Sequence, residues 1–194
     1  SPSSVRLLIV NGDRLELRQV PGLELVAERR LAARDGGLTN LEFTADGSLV
    51  VGSPRLVGGS ADLVVLDGSS LEEVKRITGS HDGNVRDIAV SDDGNMIATA
   101  GSDGYASVWW LATGDPMMRI PVDLDGRVQM VAFADGDSRL LVAPVNGPLL
   151  AYSLVAEEIV AHATSRLLRG LTDIECATYF PEGDCPSLEE IRGS

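Results

Sequence analysis

Along most of the chain apolar residues alternate with polar ones in short runs, and each run stops at Gly, Asp, Asn or Ser. That pattern predicts half-buried β-strands joined by tight turns. It is clearest between Gly79 and Gly114. There Val85 and Asp87–Ser91 predict a strand that reaches an Asp93-Gly94 turn. Met96–Ala100 predict a second strand, ending at Asp103-Gly104. A third carries Val108 and Trp109 and closes at Thr113-Gly114, and Met117–Val122 supply an outer strand.

The unit repeats. Asp-Gly turns recur at Asp46-Gly47, Asp93-Gly94 and Asp135-Gly136, and glycines ending a third strand recur at even spacing at Gly22, Gly68 and Gly114. Four repeats follow, at 1–34, 35–78, 79–122 and 123–154. The first offers Val5–Val10, Leu15–Val20 and Leu23–Leu31, with no inner strand before them. The second offers Leu38–Thr44, Leu49–Gly52, Asp62–Leu66 and Glu73–Ile77, with an inserted loop, Ser53–Ser60. The fourth offers Val128–Phe133, Arg139–Val145 and Leu149–Leu154. A period of about 40 residues with several short strands is the mark of a propeller blade.

The third repeat resembles a WD repeat: a His in a glycine-flanked loop, two Asp-Gly turns and a third-strand Trp. The resemblance implies an all-β fold, a partial WD-type β-propeller of about four blades over 1–154, followed by a two-helix extension over 155–194. It also implies a hydrogen-bonded relay of His81, Thr99, Asp103 and Trp109, in which Asp orients the imidazole and the hydroxyl accepts from the indole N–H. Such a relay is structural; a catalytic His81–Asp103 pair has no nucleophile at matching spacing. Trp110 stands where the family usually has Asp, and alternation turns it away from Trp109. Packing on the neighbouring blade is the expectation, with an exposed binding tryptophan as the alternative. The signature decays elsewhere. Leu66-Asp67 replaces Trp-Asp in repeat two, and Tyr152 replaces Trp in repeat four.

After Leu154 the period changes to that of a helix, with Glu157 and Glu158 in its first turn, Arg166 and Arg169 in its last, and Gly170 as terminator. Thr172-Asp173-Ile174-Glu175 form a capping box for a second short helix that Pro181 stops. The run Ala161–Pro186 resembles the C-terminus of WD-repeat regions in large actinobacterial signalling proteins, through Arg169–Thr172, Glu175-Cys176, Tyr179 and Cys185-Pro186. On that resemblance, and with about four blades where rings usually hold more, the chain reads as the C-terminal part of a longer protein. A second copy closing one ring is the other way to complete it.

Composition narrows the function. A formal net charge of −13 over 194 residues excludes a basic phosphate track, so no nucleic acid is expected to bind. The charge points either to a basic partner or simply to solubility. No apolar run reaches membrane-spanning length, and a cytoplasmic location is the expectation. Cys176 and Cys185 flank the Pro181–Asp184 turn, where a disulfide and two packed thiols are both open. His81 and His162 are not at metal-ligand spacing, and no phosphate loop or nucleophile elbow is present, so no cofactor, metal or catalytic residue is expected. Gly58-Gly59-Ser60 lack the Lys of a phosphate cradle and predict a flexible loop.

The function expected is therefore a non-catalytic protein-interaction scaffold within a signalling protein. Its binding loops would be Ser53–Ser60, Gly79–Asn84 and Asp123–Gly126. The competing reading is a small-ligand or enzymatic site in the channel, around Arg86, Asp87 and Gln129.

Overall fold

The computed structural model describes residues 5–32, 36–55, 59–122 and 126–165, together with Cys185, Ser187 and Glu190. The chain divides into two compact units, Ser1–Tyr152 and Ser153–Ser194. The first is a series of antiparallel sheets. Strands β1 (Val5–Asn11), β2 (Arg14–Val20) and β3 (Glu24–Arg30) form the first sheet, in chain order. Strands β4 (Leu38–Phe43), β5 (Leu49–Pro54), β6 (Ser60–Asp67) and β7 (Glu73–Asp82) form the second. The third comprises β8 (Val85–Val90), β9 (Met96–Gly101), β10 (Tyr105–Trp110) and β11 (Pro116–Pro121). The fourth comprises β12 (Val128–Ala134), β13 (Arg139–Pro144) and β14 (Leu150–Ser153). This is the all-β, four-sheet arrangement of a partial WD-type propeller. In the second unit Ala156–Ser165 form a helix, α1, with Glu157 and Glu158 in the first turn, where the helix dipole favours carboxylates. Of its described side chains, His162 is exposed. The expected second helix and Cys176 lie outside the described residues, as do Arg166, Arg169 and Gly170.

The central strands explain why the sheets stack. Successive residues of a strand point to opposite faces, so a strand covered on both sides reads as an unbroken apolar run. In β5 and β6, Val50, Val64 and Leu66 pack with Leu15 and Leu17 of the first sheet. Val51, Leu63 and Val65 pack the other way, with Ile88, Ile97 and Trp109 of the third. Each such fully buried side chain contributes about 1.5–3 kcal/mol. Polar contacts stitch the same seams. Arg6 donates to the carbonyls of Gly47 and Gly68, and Asn40 Nδ2 donates to the Val85 carbonyl. Asp137 accepts the amide N–H groups of Asp92 and Asp93, joining the fourth sheet to the third.

Three expectations need correction. His81 was expected in a loop, but it lies inside β7, opposite Ala61 of β6. Ser60 Oγ donates to the His81 carbonyl and Ser80 Oγ to the Ala61 carbonyl, which extends the pairing past Ile77. The ends of the Ser53–Ser60 insertion are also strand. Ser53 is buried and donates to the Asp62 carbonyl, and Ser60 opens β6, so Ser60 is no part of a flexible loop. Trp110 is 43% exposed rather than packed away.

Candidate functional site

The registers Leu38↔Pro54, Ser60↔Asp82, Val85↔Gly101 and Val128↔Pro144 place one set of strand ends at a common rim. His81 sits there at the end of β7, with Thr99 and Gly101 on β9 and Asp103 in the turn before β10. The structure brings together all four residues singled out from the sequence. His81 Nδ1 lies 2.9 Å from Asp103 Oδ1, His81 Nε2 lies 2.8 Å from Thr99 Oγ1, and Trp109 Nε1 donates to Thr99 Oγ1 at 3.2 Å.

Burial fixes the direction of every proton. His81 and Thr99 are enclosed. Desolvation lowers the imidazole pKa, with the Asp103 charge opposing it and Arg119 adding slightly to it, so the ring is neutral near pH 7. A carboxylate accepts, so Nδ1 carries the proton and donates to Asp103. Nε2 then accepts from the Thr99 hydroxyl, whose oxygen takes the indole N–H. The Thr99 hydroxyl also approaches the Ser107 carbonyl, at a longer 3.4 Å, and no buried group in the chain of bonds is left without a partner.

Three contributors were not legible in the sequence. Arg119 donates to Asp103 Oδ2 at 3.1 Å and stacks 4.1 Å above the Tyr105 ring. The Asp82 amide donates to the same oxygen. Gly101 is the third: a Cβ there would lie 2.1 Å from both His81 Nδ1 and Asp103 Oδ1. A short strand glycine signals close approach in general, but only the fold shows what approaches.

Chemically the network has nothing to spare. Both ring nitrogens of His81 are engaged, and the hydroxyl beside them, Thr99 Oγ1, is fully buried and takes the Trp109 N–H. Of the channel candidates, Arg86 Nη1 donates to Gln129 Oε1, and Asp87 Oδ2 accepts the Val131 amide. The aspartates of two other Asp-Gly turns serve the turns. Asp46 accepts from Thr44 and Ser48, which holds its carboxyl down at about 2, and Asp93 accepts from Ser91 and Asn95. Among the described residues no group of three or more His, Cys, Asp or Glu side chains is arranged to hold a metal ion. Nor, among them, is any helix long and apolar enough to cross a membrane.

Comparison with known proteins locates the same segment. Residues 72–109 match the family model described as WD domain, G-beta repeat. A ribosome biogenesis protein erb1 of Aspergillus clavatus is 36% identical over 67 residues, 34% of this chain and 8% of that protein. Rik1-associated factor 1 of Schizosaccharomyces pombe is 28% identical over 96 residues, 50% of this chain and 14% of that protein. The matches therefore span a small fraction of either relative's length. A WD-type repeat occupies residues 72–109, set within an all-β array of four antiparallel sheets.

Proposed function

We propose that this chain is a non-catalytic protein-interaction scaffold, a propeller portion of a larger signalling or regulatory protein, and that the His81–Thr99–Asp103–Trp109 relay is structural. The observation that carries this reading is the full engagement of His81. This buried imidazole is spent on joining two sheets, which leaves the loops of one rim as the variable surface. Scaffolds place specificity on such loops while the strands hold them still. The short share of each relative's length supports a larger parent protein, and the tail's resemblance to actinobacterial signalling proteins supports its class.

A photo-crosslinking amino acid at Asp82, on the His81 rim, and at Thr113, at the opposite ends of the strands, tests this reading. Proteins crosslinked from Asp82 and not from Thr113 are the expected result. No crosslinked protein from either position, together with a thermal shift by a metabolite from a broad panel, would replace the scaffold with a small-ligand site.

A further inference from the structure

Two clefts open on the His81 rim and share a wall. One, of about 300 Å³, lies between the second and third sheets and is lined in part by Asn40, Arg55, Asn84 and Arg86. The other, of about 410 Å³, runs back toward the first sheet and includes Asp13, Gly36 and Arg55. Thr39 and Arg55 line both, so together they form one groove across three sheets. Glycine keeps its wall thin: a Cβ on Gly36 would lie 2.6 Å from the Arg55 carbonyl. These volumes are in the range of ligand sites, and the groove's length suits an extended chain better than a compact molecule.

The charge of the groove runs against that of the protein. Among the described residues, a chain of net charge −13 places two arginines and no carboxylate on the cleft between the second and third sheets. Arg55 is exposed, and its side chain has no hydrogen-bond or ion-pair partner among the described residues. Arg86 holds Gln129 through Nη1, while its Nε is buried without an acceptor. An unpaired buried N–H is costly, and guanidinium groups bind carboxylates in fixed, often two-pronged geometry. The one carboxylate among the described residues that line the adjoining cleft, Asp13, is paired with Arg30 at 2.6 Å.

We propose that this groove seats an acidic peptide segment of a protein partner, with a carboxylate of that segment held by Arg55 and Arg86. The inference rests on the scaffold reading and gives it a partner chemistry. The test is fluorescence anisotropy with a fluorescein-labelled decapeptide of alternating Glu and Gly, beside its Gln and Lys counterparts, free glutamate and inorganic phosphate. An ionic strength of about 0.15 M screens the net charge beyond about 8 Å while leaving contact pairs in place. Binding of the Glu peptide is expected, weakened about tenfold or more by Arg55→Glu and by Arg86→Gln. Arg55→Glu should leave the melting temperature unchanged, since that side chain is exposed. Undiminished binding by both variants overturns the location. Preference for the Gln or Lys peptide overturns the acidic chemistry but leaves the scaffold standing. Binding of glutamate or phosphate with no peptide bound overturns both, and no binding of any probe overturns the groove.

Discussion

His81 Nε2 and Thr99 Oγ1 lie 2.8 Å apart across the seam between the second and third sheets, one on β7 and the other on β9. The bond is thus a tie between two sheets. Thr99→Val keeps the shape of the side chain but removes an acceptor from Trp109 Nε1 and a donor from His81 Nε2. Two buried polar groups lose their partners at once, at a cost of about 2–4 kcal/mol. Thr99→Ser keeps both bonds and should lose less than half as much. Urea unfolding with an unchanged slope measures the difference. Parent-like stability for Thr99→Val would falsify the relay.

Gly101→Ala tests the same network from its backbone. The added methyl has no room, since His81 Nδ1 and Asp103 Oδ1 occupy its place. One of the two must leave, which breaks the Nδ1–H bond and strands a buried imidazole. A loss of about 2–3 kcal/mol follows, comparable with Asp103→Ala. The double variant should lose little more than either single one, because both break one interaction. Additive losses would mean that Gly101 acts elsewhere.

The sequence carries the strands and the relay unusually well, for a physical reason. Period-two alternation, Asp-Gly turns and the four relay side chains are local signals repeated at a fixed interval, so each repeat corroborates the next. The missed features depend on distance in space. His81 looked like a loop residue because Gly79 and Gly83 flank it, but the pairing with β6 runs past it, with the Ser60 and Ser80 hydroxyls reinforcing that end. Trp110 looked packed because alternation gives its direction but not whether anything lies there. Arg55 carries no motif at all, and its place between two clefts follows from where β5 ends.

The two tryptophans should separate in solution. Trp109 is 8% exposed and hydrogen-bonded, whereas Trp110 is 43% exposed. Iodide quenching of the native protein should show one accessible and one protected emitter. Trp110→Phe should remove the accessible component and change stability by less than about 1 kcal/mol, while Trp109→Phe, which deletes a buried donor and part of the core, should cost about 2–4 kcal/mol. A single quenching constant for both emitters would contradict the burial of Trp109.

Stability should also respond to pH through two groups of opposite sign. His81 is held below its ordinary pKa, chiefly by burial. The unfolded chain therefore takes up its proton first, and this group's contribution falls as the pH drops below about 6.5. Glu42, on β4, is pushed up from 4.5 to about 7, first by burial and then by the Asp87 charge, against a hydrogen bond from the Val90 amide. The folded state holds that proton more tightly, so stability from Glu42 is complete below pH 4.5 and is lost as the pH rises through 7. Glu42→Gln keeps an oxygen for the Val90 amide and removes the charge. It should stabilise the protein by about 1 kcal/mol at pH 8, a figure reduced for solvent screening at this half-buried site, and by almost nothing at pH 4.5. Melting temperatures of the two proteins across that range give the answer. A gap that widens toward acid would mean that Glu42 is ionised and satisfied in the fold.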